Sequence, residues 1–188
     1  MKNLNPDFSE TEDLRRLTAV DLSDANIPSR FWRPDSDPFI DYPGPLSWWD
    51  NRKEYCRSGV GYLSVSAPDS MVEIRSLVEL LKRIMADRSR PPLPGSLRGS
   101  CRFVRAPDLY RDGKIGAVDW EGLTDVGFLL VANVGVGHNN VADRILPDLF
   151  RTRYENGAIT FFHLVERAGD KAFLQRLAAL VPKGSYTT

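Results

Sequence analysis

The chain is poor in the features that would place it in a special class. It has no run of about 18 apolar residues, so no segment is long enough to cross a bilayer as a helix. Its opening residues, MKNLNPDFSETEDL, are polar and partly acidic, unlike a secretory leader. Cysteine occurs only at Cys56 and Cys101, which predicts two reduced thiols in a cytoplasmic protein rather than a disulfide framework. Histidine is as scarce. His138 and His163 lie far from each other and from both thiols, so no metal-ligand spacing is present. An excess of one charge is also missing. The 25 basic residues balance 25 acidic ones, which argues against a globally basic nucleic-acid binder and leaves only a local patch. What remains is ordinary globular material: 188 residues, 42% apolar and 27% charged, enough for one well-buried core.

Three stretches differ in character. Residues 1–27 are polar, with an amphipathic helix expected around Glu10–Val20 from Leu14, Leu17 and Val20. Residues 28–58 hold five prolines, which predicts an irregular strap over most of that length. Its aromatics, among them Phe31, Trp32, Trp48 and Trp49, set it apart from a disordered linker. They suit either a cover over the core or an exposed surface for a partner. Residues 59–188 read as a domain. GYLSVS (61–66) predicts a short buried strand, with Asp69 or Ser70 capping a helix over Met71–Asp87. A Pro/Gly/Arg loop (88–100) precedes a strand at Cys101–Val104 and a helix or turn at Ala106–Arg111. DVGFLLVANV (125–134) is apolar throughout, as a strand buried on both faces requires. A helix over Asn139–Tyr154, with Asn139 or Asn140 as its cap, ends at Gly157. A strand at Ala158–Val165 and a helix at Asp170–Val181 complete the pattern. Alternation of this kind predicts a parallel sheet with helices on both faces.

From Ala25 onward the order of segments resembles the AAA+ helicase-loader and transposition-helper ATPases of the DnaC and IstB type. NIPSRFW (26–32) is similar to that family's entry motif, and CRFVRAPDLYRDG (101–113) to its second strand and helix. TDVGFLLVANVG (124–135) is similar to its Walker B strand, VADRILPDLFRTRYENGAITFFH (141–163) to the helix and strand that follow, and GSYT (184–187) to its ending. The resemblance implies a three-layer α/β/α domain of the P-loop NTPase (AAA+ core) type, here without a C-terminal lid domain. Loaders of the family carry a helicase-binding domain before the core, whereas about 25 residues precede the match in this sequence.

The nucleotide-handling positions depart from the family. A P-loop needs glycines to let backbone N–H groups approach phosphate, a lysine for the β/γ charge and a hydroxyl for magnesium. The matching register runs Ser66, Ala67, Pro68, Asp69, Ser70, Met71, Val72, Glu73. Valine stands for the lysine and glutamate for the hydroxyl. Shifting the register does not help, because no lysine occurs between Lys53 and Lys82. At the Walker B positions, Ala132 and Asn133 replace the acidic pair. The expectation is a degenerate nucleotide site at Ser66, Met71, Val72, Glu73, Ala132 and Asn133, with no catalytic residues, cofactor or metal. The chain would then be a pseudo-ATPase that holds a protein partner, such as an ATPase paralogue or a helicase, in a replication, transposition or mobile-element complex. The aromatics Phe31, Trp32, Trp48 and Trp49 and the 10–20 helix would be its contact surfaces.

Two alternatives stay open. Lys82, Arg83, Arg88, Arg90, Arg98, Arg102 and Arg105 form a basic stretch that suits phosphate contact, with Arg98, Arg102 and Arg105 as candidate nucleic-acid contacts. A solvated helix end and loop reads the same way. An enzyme with a novel site in the old cleft has His138 and His163 to offer, although GVGHNN (135–140) reads better as a turn and His163 as a hydrogen-bonded core residue. A second basic group, Arg144, Arg151 and Arg153, is expected on a helix and balanced by Asp143, Asp148 and Glu155.

Overall fold

The computed structural model describes residues 17–33, 44–59, 61–66, 71–87, 98–137 and 140–165. Four parallel strands form one sheet in the order β1-β4-β3-β2: β1 Tyr62–Ser66, β2 Arg98–Arg105, β3 Val126–Val134 and β4 Ile159–Val165. The long helices of the domain are α4 Val72–Ala86, α5 Ala106–Lys114 and α7 Ala142–Glu155, with a short α6 at Trp120–Thr124. All four strands and these three long helices overlap their expected positions; β2 starts at Arg98, within the expected loop, and the expected helix or turn at Ala106–Arg111 is a helix to Lys114. Alternation along the strands makes the layers. Phe103, Phe128, Leu130, Ile159 and Phe161 enter one core with Leu77, Leu80 and Leu81 of α4. Val104, Leu129, Val131 and Phe162 enter a second core on the opposite face, with Tyr110 of α5, Leu123 of α6 and Leu149 and Phe150 of α7.

In its described parts, 28–33 and 44–58, the stretch expected as an irregular strap is largely helical. Ser29–Phe31 is a turn of 3₁₀ helix, and α2 Gly44–Asp50 and α3 Arg52–Ser58 are regular helices. Proline is compatible with both places where it meets them. Pro28 stands at the cap of the 3₁₀ turn, and Pro45 lies in the first turn of α2, where its missing N–H would have no partner. The candidate partner aromatics face inward: Phe31, Trp48 and Trp49 are buried and Trp32 packs partly buried against the same core. Trp48 meets Phe161 edge-on at 4.9 Å and stacks with Tyr55 at 6.1 Å. Trp32 donates its indole N–H to the Ile27 carbonyl at 2.7 Å. These residues therefore cover the sheet and share its core; they do not present an open surface.

Of the helix expected around Glu10–Val20, only residues 17–20 are described. Thr18 caps α1 at Ala19–Asp24 through a reciprocal capping box with Asp21, so Leu17 and Thr18 precede the helix, and Val20 points to solvent. The chain then lies against the outer edge of β2. The Phe103 N–H donates to the Ala25 carbonyl at 2.8 Å, and the Asn26 side-chain amide donates to the Phe103 carbonyl at 3.0 Å. An arm thus covers part of a sheet edge that would otherwise be open to pairing. Of the remaining expectations, α7 begins at Ala142 with Val141 in the cap position, so Asn140 is not its cap. Asp69, Ser70, Asn139, the 10–16 part of the first helix and the helix at Asp170–Val181 lie outside the described residues.

Candidate functional site

In open α/β sheets, ligands gather at the carboxyl ends of the strands. Here β1 ends at Ser66, which is in register with Val165 at the end of β4, and β3 ends at Val134, in register with Leu164. The six residues singled out as a degenerate nucleotide site are placed by their elements: Ala132 and Asn133 stand near the end of β3. Ser66 closes β1, Met71 sits at the cap position of α4 without a side-chain cap bond, and Val72 and Glu73 open that helix. Glu73 places a carboxylate at the positive end of the helix dipole, which stabilises the helix and would oppose an incoming phosphate.

The end of β3 is built differently from a metal-binding edge. Ala132 is fully buried in the core it shares with α4, and its side chain offers no oxygen. Asn133 has φ +61, a left-handed conformation that asparagine tolerates, and the β3–β4 register shifts between Val131 and Val134. The shift re-aims the strand: Val134 joins the second core, together with Leu129 and Val131. Gly135 follows at φ +95, and a side chain there would run into the Val165 carbonyl.

His163 locks this bulge. Its Nδ1 accepts from the Asn133 N–H at 3.2 Å, which leaves its proton on Nε2. Burial pushes its pKa down to about 4, against an opposing pull from Glu73. The group is thus neutral at physiological pH and engaged in structure. The consequence for stability has a definite sign. Between pH 6.5 and 4 the unfolded chain binds a proton here that the folded chain does not, so stability is complete above pH 6.5 and falls as pH drops towards 4. The expected loss is on the order of 3 kcal/mol. Urea denaturation at pH 7 and pH 4.5 should show it, and His163→Gln should flatten that dependence relative to the parent chain.

Among the described residues, the basic side chains of Lys82, Arg102 and Arg105 do not share one surface. Lys82 is buried in an ion pair with Glu79 at 2.8 Å. Arg102 is bound to Asp119 at 2.8 Å, and the paired guanidinium holds that carboxyl below its usual range, helped by the Gly122 N–H. Arg102 and Arg105 are three apart on β2, so they leave opposite faces of the sheet. Arg98 opens β2, and its side chain, like residues Arg88 and Arg90, is outside the described residues. Among the described residues no group of acidic, histidine or cysteine side chains could hold a metal ion. Cys56 is buried, and desolvation raises its pKa to about 12, so it is no nucleophile.

Arg153 was expected on a helix and balanced by acids; it lies on α7, but its partners are not acids. It is completely buried. Its guanidinium donates to Thr160 Oγ1 at 2.9 Å, to the carbonyls of Leu123 at 2.6 Å and Val126 at 2.8 Å, and to that of Ile159 at 2.7 Å. Desolvation lowers its pKa to about 9, so the charge persists at neutral pH with carbonyl dipoles in place of a carboxylate. The signal in the sequence was its spacing: Leu146, Leu149 and Arg153 lie three and four apart, on the buried stripe of α7. Arg151 does match expectation, bound to Asp148 at 2.7 Å in solvent.

The architecture is a three-layer α/β/α domain with a parallel sheet, the arrangement of a P-loop NTPase core. Solved structures share it. One described as the DnaC helicase loader has a TM-score of 0.57 and 13% identity, covering 85% of this chain and 98% of that one. One described as DnaI has a TM-score of 0.57 and 15% identity, covering 94% of this chain and 92% of that one. No family model matches the sequence, and no curated protein matches it. At this identity the structural likeness shows the fold alone. No described helix is long and apolar enough to cross a membrane.

Proposed function

We propose that the chain is a non-catalytic, helicase-loader-like interaction module that holds a protein partner within a DNA replication, transposition or mobile-element complex. One observation carries the reading. The six positions singled out as a degenerate nucleotide site hold no lysine, no metal-binding carboxylate on β3, and an acid in the first turn of the helix. These residues do not fit a magnesium nucleotide, because its phosphate charge would meet Glu73 and its metal would meet the buried methyl of Ala132. The neighbours in fold include a structure described as a helicase loader, which favours a partner such as a helicase or an ATPase paralogue.

The nucleic-acid alternative is weaker, since Lys82 and Arg102 are already engaged with acids. A new enzyme site is weaker too, since His163 is spent on the Asn133 N–H. Titration calorimetry with ATP and magnesium tests the non-catalytic part. The expected result is no saturable binding up to about 1 mM, a dissociation constant that corresponds to roughly 4 kcal/mol. Saturable, magnesium-dependent binding in the micromolar range would overturn it. Affinity purification from the native host tests the other part, with a stoichiometric protein partner expected.

A further inference from the structure

We infer that the cleft between α5, α6 and α7 docks a partner-protein segment carrying an apolar side chain beside an acidic one. The inference rests on the reading of the chain as an interaction module and gives that module a surface. The cleft encloses about 340 Å³, room for one or two side chains. Glycine shapes it. A side chain at Gly113 would collide with Val141 and Ile145, so its absence lets α5 approach α7 and form the floor. Gly116, at φ +69, turns the chain away after α5 and leaves the cleft open toward Trp120.

The walls combine apolar surface with one uncompensated charge. Val118 and Ile145 line the interior, while Trp120 is 41% exposed at the wall and Ile115 is 74% exposed between the two glycines. These two are among only four large apolar side chains exposed among the described residues. They extend past the cavity, so an occupant that covers them is larger than the cavity, as a peptide segment anchored by one side chain would be.

Charge sets the chemistry of the anchor's neighbour. Asp148 lines the cleft but is held by Arg151 at 2.7 Å. Nearby, Asp119 is held by Arg102 at 2.8 Å and Asp112 by Arg111 at 3.2 Å. Arg144 also lines the cleft and is exposed, and its side chain makes no hydrogen bond or ion pair with another described residue. The unmatched charge of the lining is therefore positive, and a carboxylate is its complement.

Fluorescence anisotropy on the full chain tests this with three short fluorescein-labelled peptides: an acidic one with a central phenylalanine, an equally acidic one with serine there, and a basic one with the phenylalanine. The first is expected to bind saturably and the other two to bind at least about tenfold more weakly. Arg144→Glu and Trp120→Ala, both at exposed positions, should each weaken the first peptide about tenfold or more, while Lys53→Glu, at an exposed position of α3, leaves it unchanged. Circular dichroism confirms that the variants fold. Absence of saturable binding, or equal binding by Arg144→Glu, would overturn the inference. So would cleft variants that abolish self-association or binding to a DNA oligonucleotide, which would make a second copy or nucleic acid the occupant. The nucleotide titration is independent: ATP binding there would refute the non-catalytic reading and leave the peptide result standing.

Discussion

Replacement of Arg153 by alanine is expected to remove about 5 kcal/mol of stability, a sum comparable to the whole stability of a marginal domain. Two effects add. The carbonyls of Leu123, Val126 and Ile159 and the Thr160 hydroxyl lose their donor in a region water does not reach, and each buried unsatisfied group costs about 1–3 kcal/mol. The departed side chain also leaves a cavity, because Arg153 is among the largest fully buried residues. Arg153→Lys should recover only part of the loss. A single ammonium keeps the charge but cannot span oxygens that lie on α6, β3 and β4 at once. Arg151→Ala is the internal comparison, since its exposed pair with Asp148 should cost under about 1 kcal/mol. Urea denaturation of the three variants separates these cases. A loss below about 1 kcal/mol for Arg153→Ala would mean that the guanidinium does not join the amino ends of β3 and β4.

Trp48→Ala should cost about 4 kcal/mol, the usual range for deleting a buried aromatic from a packed core. Trp48 has no exposed surface, and it is packed edge-on against Phe161 of β4 and stacked on Tyr55 of α3. Its loss therefore opens the core shared by the sheet and α4, not a separable flap. The variant should unfold in one transition at lower denaturant, with the near-ultraviolet and far-ultraviolet signals coincident. If the sheet kept its stability and only a local signal disappeared, residues 44–58 would be an independent strap. Trp120→Ala supplies the contrast: that ring is partly in solvent, and its loss should change stability by no more than about 0.5 kcal/mol.

These two residues also mark how far the sequence could be read. The apolar run of β3, the run of β4 and the helical period of α4 reported their own burial, because each repeats along the chain at the spacing of its element. Trp48 carries no such repeat. Its proline-rich surroundings argued for irregular chain, yet a single proline in the first turn of α2 is compatible with a helix. Arg153 was harder still. Its letter says surface, and its helix holds acids to pair with, so only the stripe of Leu146 and Leu149 betrayed it. The order of elements was legible: Ser66 ends β1, Val72 and Glu73 open α4, and Ala132 and Asn133 lie near the end of β3. The lock between His163 and the Asn133 bulge was not, because the two are thirty residues apart.

The sequence by itself determined the class of the protein. Hydrophobic period fixes strand and helix, and alternating elements with short connections leave the parallel sheet as the way to bury all of those faces. It also fixed which chemical groups are present at the strand ends, since a missing lysine cannot be supplied by folding. Only the tertiary structure decided which aromatics face inward, which basic residues are already paired, and that an arginine sits in the core. Those outcomes depend on contacts between distant residues, where desolvation and geometry outweigh the preference any side chain shows alone.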